Sequence, residues 1–174
     1  AAADGCPAGF LVDGDACTAP HLECGPGTMA AVGETTCRPV MVCGDSHYAP
    51  IPSDEAVVLH VDAAFAGASD GSEAAPFATI NEAYAVAPAG AVIRVAAGTY
   101  VEDVTVQDKP LRLLGRCPEL VTIVGSAGPS AAVLVREGGD GSQIVGVGIT
   151  GASGGLVVAG AHVLVDRVWI HDTG

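Results

Sequence analysis

Acidic side chains are the groups best placed to do chemistry in this chain, and their spacing limits what that chemistry could be. Glu102 and Asp103 are neighbours. In an extended segment neighbours point to opposite faces, so they do not form one acid/base pair. Asp166 and Asp172 share a parity, but extended chain would hold them about 20 Å apart, outside the roughly 5–10 Å that paired glycosidase carboxylates need. No catalytic residue is therefore assigned. Asp62, Asp70 and Glu73 form a looser acidic group. Hard cations take several carboxylate oxygens, so these three are the candidate ligands for Ca2+, the one cofactor the sequence suggests. Further along, Arg167, Trp169 and His171 alternate in one segment. A Trp ring beside an Arg guanidinium can stack on and hydrogen-bond a sugar, which makes these three the candidate ligand-binding residues. The sequence holds no Ser-His-Asp order, phosphate-cradling Gly loop or dinucleotide fingerprint.

Six cysteines, five of them before residue 45, point to an oxidising compartment and to disulfides. Residues 1–54 read as one module that repeats internally. Cys6-Pro7-Ala8-Gly9-Phe10 runs on to Cys17, and Cys24-Gly25-Pro26-Gly27-Thr28 runs on to Cys37. Gly, Pro and Thr leave too few apolar residues for a core, so covalent bridges must hold this module. Each loop of this size gains about 3 kcal/mol from closure. His21 and His47 lie among the cysteines, yet the closely spaced Cys pairs that zinc favours do not occur. Local closure predicts Cys6 with Cys17 and Cys24 with Cys37. That leaves Cys43 to join Cys117 and clamp the module against the rest of the chain.

The elements that would position these groups begin at residue 55. The segment from Ala56 to Asp62 reads as a leading strand. Thr79 is a good helix N-cap, and Glu82 three residues later completes a capping box. A helix near residues 80–87 would lay Phe77, Ile80, Ala83, Tyr84 and Ala87 over an open core, and Pro88-Ala89-Gly90 stops it. Short Val/Leu/Ile strands come next, each broken by Gly, Asp or Pro. Ile144, Val147 and Ile149 reappear 21 residues later as Val165, Val168 and Ile170, a shift that suits one turn of a three-faced strand solenoid. Such strands are stabilised by stacking, with the helix plugging one end. By the same alignment Val168 and Ile170 face inward. Arg167, Trp169 and His171 then face outward, above Gly146, Gly148 and Thr150. The glycines would leave room for a flat ring, or Trp169 would simply fill the gap they leave.

Charge narrows the partners. Seven basic against 20 acidic residues give a net charge of −13, so nucleic acid and anionic membranes are excluded as partners. Acidic polysaccharides would be repelled unless a divalent cation bridged them. No apolar stretch approaches the ~20 residues of a transmembrane helix.

The run through Val61-Asp62, Pro76-Phe77-Ala78-Thr79-Ile80, Gly98-Thr99-Tyr100 and Gly115-Arg116-Cys117 resembles the N-terminal capping region and first coils of secreted bacterial right-handed parallel β-helix proteins of the pectin-lyase-like superfamily. The resemblance covers roughly residues 56–174, and the front module resembles the Cys-Pro-x-Gly repeats that often precede such helices. It implies an all-β fold, secreted or cell-surface localisation and polysaccharide as a partner. Lyases of this kind use a carboxylate-bound calcium with an Arg or Lys base, and hydrolases use clustered Asp, and neither pattern is present. The expected function is a non-enzymatic β-helix scaffold, structural or carbohydrate-binding. The alternatives are the front part of a polysaccharide lyase or hydrolase with catalytic coils beyond residue 174, and a self-assembling extracellular subunit. In the last case the uncapped final coil would associate end to end with another copy, since exposed strand edges are a liability.

Overall fold

The computed structural model describes residues 5–20, 22–51, 57–128 and 131–174. His21, Ala56 and the module boundary expected near residue 54 lie outside the described residues. In the front module each repeat makes its own small antiparallel ladder. β1 (Leu11–Asp13) pairs with β2 (Ala16–Thr18), and β3 (Thr28–Met29) with β4 (Arg38–Pro39). Cys6–Cys17 closes the first repeat and Cys24–Cys37 the second, while Cys43–Cys117 ties the module to the rest. The first two are the pairs that local closure predicts, and the third is the pair they leave. Leu11, Val12 and Val32 stay exposed, in keeping with a segment held by covalent bridges instead of burial.

The remaining chain is a parallel β-solenoid of about three turns. β5 (Val58–Val61) leads in, and the helix α1 (Ile80–Val86) comes after it. The first coil is β6 (Val92–Val95), β7 (Gly98–Val101) and β8 (Val104–Val106). The second is β9 (Arg112–Gly115), β10 (Val121–Gly125) and β11 (Ala131–Arg136), and the third is β12 (Ser142–Val145), β13 (Gly148–Gly151) and β14 (Gly154–Ala159). β15 (Val163–Asp166) and β16 (Trp169–Thr173) open the next. Stacking yields three parallel sheets, of five, four and three strands. Each is built from strands that repeat once per coil, so strands too short to persist alone are stabilised by pairing with the neighbouring coil.

Register explains which residues make the core. In the five-stranded sheet Leu59, Ile93, Leu113, Ile144 and Val165 stand in one column. Ile93, Leu113 and Ile144 are buried among Val61, Ile80, Val104, Ile123 and Ile149. The expected match of Ile144 to Val165 and of Ile149 to Ile170 is the observed pairing. Tyr100 turns inward and its hydroxyl donates to the Ala96 carbonyl at 2.9 Å, which fixes the corner that the Gly98-Thr99-Tyr100 segment rounds.

Two differences from expectation have local causes. The leading strand is shorter than 56–62. Asp62 leaves the ladder because its N–H donates to the Phe77 carbonyl, while Phe77 donates back to His60 and so extends the sheet by one residue. In β16 the register slips after Ile149–Ile170, and Gly151 meets Thr173. Asp172 occupies the left-handed region there, at φ 46°, so Thr150 does not lie squarely beneath His171.

α1 closes the first coil. Its capping box forms as predicted, with Glu82 N–H donating to Thr79 Oγ1 and Thr79 N–H to Glu82 Oε2. Ile80 and Ala83 are buried, and Phe77 and Tyr84 pack against the same core. Seven residues are too few for a helix to persist alone, and the coils supply what it lacks. Glu102 accepts the Ile80 and Asn81 N–H groups at 2.8 and 2.9 Å. At the other end Lys109 Nζ donates to the Ala87 carbonyl at 2.7 Å and lies over the Tyr84 ring. An acid at the first turn and a base at the last oppose the partial charges of unsatisfied N–H and C=O groups.

Candidate functional site

The outward columns of the five-stranded sheet decide where a ligand could sit. His60, Arg94, Leu114, Val145 and Asp166 stand in one column, and Val58, Val92, Arg112, Gln143 and Leu164 in the other. Period-two alternation puts both sets on the face away from the core. Residues 41–51 cross this face as a strap. Met41 lies against Gly146, Cys43 is bonded to Cys117, and His47 Nε2 meets Asp62 at 2.9 Å. The strap therefore spans three successive coils.

Arginines hold the strap by its backbone. Arg94 donates Nε and Nη2 to the Ala49 carbonyl at 2.9 and 2.6 Å, and Arg116 donates Nε and Nη2 to the Gly44 carbonyl at 3.3 and 2.7 Å. Ala49 packs on Val92 and Leu114, and Tyr48 is buried beneath the Arg94 guanidinium. Burial, with Asp62 and Glu73 nearby, pushes the Tyr48 phenol up to about 12. His60 is 7% exposed. Arg94 can only donate, so His60 Nε2 accepts from it at 3.2 Å while Nδ1 faces the Gly71 carbonyl at 3.2 Å. That is the neutral imidazole, and burial lowers its pKa accordingly.

Beyond the strap the same face remains a groove of about 210 Å³. Met41, Ala49 and Pro50 of the strap line it together with Leu114, Val145 and Leu164 of the sheet and the polar side chains of Arg112, Gln143, Asp166 and Arg167, and Arg112 Nε donates to Gln143 Oε1 at 3.4 Å. Arg167 sits in the turn after β15 with φ 51° and pairs with Asp166 at 2.8 Å. The previous coil has Gly146 at the equivalent corner, also left-handed at φ 68°.

The three predicted ligand residues thus divide between two faces. Arg167 belongs to the groove. Trp169 and His171 belong to the four-stranded sheet, where their rings stack at 3.5 Å between centroids and 19° between planes. Trp169 stands beside Gly148 as expected. His171 Nδ1 meets Asp172 at 2.8 Å, while its Nε2 is buried without a hydrogen-bond partner among the described residues.

The predicted metal ligands are not gathered either. Asp62 is engaged by His47 and by the Ala64 N–H. Hydrogen bonding from the Ser72 side chain, and then from the Ser72 N–H at 2.9 Å, keeps the Asp70 carboxyl below the ordinary range. Glu73 lies 3.9 Å from His60 and 4.0 Å from Arg94. Among the described residues no group of three or more His, Cys, Asp or Glu side chains is placed to hold a metal ion. Glu102 and Asp103 lie at the bend between β7 and β8, not in an extended segment, and still point apart: Glu102 to α1, and Asp103 to the N–H and hydroxyl of Ser126 in the next coil. The residues that sequence reasoning missed are Arg94, Tyr48, His60 and Gln143. Strand parity would have put Arg94 and Gln143 on the outer face, but nothing in the sequence placed the strap over them.

Residues 65–166 match a family described as a protein of unknown function, DUF1565. The chain belongs to this family. Neither a curated protein nor a solved structure matches it. The DUF1565 stretch runs from the loop before α1 through β15, so it contains the capping helix and the coils. The Cys-rich module, the strap, Trp169 and His171 fall outside it.

Proposed function

We propose that the protein is a non-enzymatic extracellular β-helix scaffold that displays a carbohydrate-binding surface. One observation carries this reading: the adjacent acids of the first coil, Glu102 and Asp103, are both engaged in holding the fold. Glu102 caps α1, Asp103 bridges to Ser126, and Asp140 accepts both the backbone N–H and the ring of His162. Three disulfides fit an oxidising, extracellular setting, and no helix among the described residues is long and apolar enough to cross a membrane. The stacked Trp169–His171 pair supports the sugar platform, because an aromatic face held flat by a neighbouring ring costs little to order on binding. The net charge of −13 favours neutral saccharides.

A glycan array of neutral polysaccharide fragments, probed with the parent and with Trp169→Ala, tests the platform. The expected outcome is binding by the parent and a loss of at least about tenfold in the variant. A parent that binds no glycan, or a variant that binds equally well, overturns it. Incubation with the bound polysaccharide should leave its chain length unchanged, and release of shorter products would overturn the non-enzymatic reading.

A further inference from the structure

Arg94 makes two contacts with one guanidinium. Its Nε and Nη2 hold the Ala49 carbonyl of the strap, and its Nη1 donates to His60 Nε2 at 3.2 Å. A guanidinium can only donate, so the second contact exists only while the His60 ring is neutral. That ring has little freedom to turn away. It is buried, its Nδ1 faces the Gly71 carbonyl, and the Tyr48 ring stands against it at 4.8 Å. A proton on Nε2 would therefore set two cations 3.2 Å apart. The groups around them offset this only in part. Glu73, from the loop before α1, lies 3.9 Å from His60 and 4.0 Å from Arg94. Its side chain is 68% exposed, so one screened carboxylate faces both cations. Asp62, just after β5, is engaged by His47 of the strap at 2.9 Å, and Tyr48 stays an uncharged phenol in acid. Among the described residues neither carboxylate belongs to a group that could hold a metal ion.

We propose that His60 is the catch of an acid-opened latch: a proton on its ring drives the Arg94 guanidinium off the Ala49 carbonyl and frees residues 48–51 of the strap from the solenoid. The contacts that precede Tyr48 do not depend on a neutral His60. Cys43 is bonded to Cys117, Arg116 holds the Gly44 carbonyl, and a protonated His47 keeps its bond to Asp62. The strap therefore stays anchored as far as residue 47 and opens beyond it. Tyr48 leaves without losing a hydrogen bond from its hydroxyl, which has no partner among the described residues. Opening also bares Val92 and Leu114, on which Ala49 packs. The change stays local because His60 and Arg94 stand on the outward face, and the packed column of the coils is untouched. Burial of His60 acts in the same direction, since a closed state that prefers the neutral ring loses ground to an open one as pH falls. This device lies apart from the Trp169–His171 face and goes beyond the carbohydrate reading.

The chain has three tyrosines, Tyr48, Tyr84 and Tyr100, so 3-fluorotyrosine incorporated into the oxidised full chain gives three fluorine NMR signals, and Tyr48→Phe assigns the one that reports on the strap. The expected result between about pH 7.5 and 4.5 is a rise of at least about tenfold in the solvent-exposed population of Tyr48, while Tyr84 and Tyr100 keep their buried positions. In His60→Gln, whose amide can still accept from Arg94, the Tyr48 signal should stay buried across the same range. In Arg94→Ala it should be exposed already at pH 7.5, because the tie to Ala49 is gone. A Tyr48 signal that does not move in the parent overturns the proposal, as does an equal shift in His60→Gln. Movement of all three tyrosines together would mean unfolding of the solenoid and also overturns it. Should His60→Gln fail to fold, the parent and Arg94→Ala still decide, because an Arg94→Ala strap that remains closed at pH 7.5 removes the link on which the latch depends. Failure of the glycan array leaves this experiment unaffected.

Discussion

Glu102 shows how a single side chain can look like chemistry and serve the fold. It accepts two N–H groups of the first turn of α1, which are orphan donors by construction. Glu102→Ala should lower stability by about 1–2 kcal/mol, the range of a lost N-terminal cap. Glu102→Gln should cost less, because it keeps an acceptor and loses only the charge. Urea unfolding of the three proteins measures both. His60 makes a pH prediction. Its folded pKa lies below the ordinary imidazole value, so the folded state prefers the neutral ring. The stability it contributes is complete above about pH 6.5 and is lost as pH falls through the lowered value. Between pH 7.5 and 5 the parent should therefore lose more stability than His60→Gln, whose amide can still accept from Arg94. An equal loss would mean that His60 is not the group responsible. Little of this was readable beforehand. The sequence places Glu102 and His60 among neighbours of no consequence, because their partners are brought near only by the coil and the strap.

At the scale of the element, α1 was the most legible part of the chain. The capping box, the apolar spacing and the Pro88 stop are all local, so Thr79, Glu82, Ile80 and Ala83 take the roles their order implies. Its two tertiary caps were not legible, since Glu102 and Lys109 arrive from the first coil. The helix is thus a plug held from both ends and along one face. Ile80 has no exposed surface. Ile80→Asp would bury a carboxylate in an apolar seam at a cost of several kcal/mol, and the expected product is insoluble or lacks a cooperative thermal transition. Retention of the parent melting temperature would show that α1 does not cap the core. The Trp169 segment was legible only in part. Its alternation correctly sets Trp169 beside Gly148, but the register slip at β16 and the left-handed turn at Arg167 divide the predicted cluster. Such turns depend on how one coil meets the next, a relation that spacing along a single strand does not contain.

Across the whole molecule the coils and the Cys-rich module are two structures with different sources of stability, and the strap joins them. The solenoid is held by a continuous column of Val, Leu and Ile, and the 21-residue shift from Ile144 to Val165 was visible in the sequence, while the 20 residues from Ile93 to Leu113 and the 31 from Leu113 to Ile144 hid the earlier coils. The front module has two local bridges, of sequence separation 11 and 13, and the third bridge, Cys43–Cys117, spans 74. Restricting a longer loop removes more entropy from the unfolded chain, so the three bonds should not contribute equally. The chain-entropy relation gives about 4 kcal/mol for the long bridge and about 3 kcal/mol for each local one. The long bridge also preserves other contacts, because Arg94 and Arg116 hold a strap that Cys43 anchors. The double substitution Cys43→Ala and Cys117→Ala should therefore destabilise the solenoid by at least about 4 kcal/mol. It should also speed amide hydrogen exchange along the strap and on β6 and β9, the strands beneath Ala49. The pair Cys6→Ala and Cys17→Ala should loosen only the first repeat and leave the main unfolding transition almost unmoved. Hydrogen exchange with residue resolution separates the two outcomes. If removing the long bridge leaves β6 and β9 as protected as in the parent, the strap is a passenger on the sheet and not its clamp.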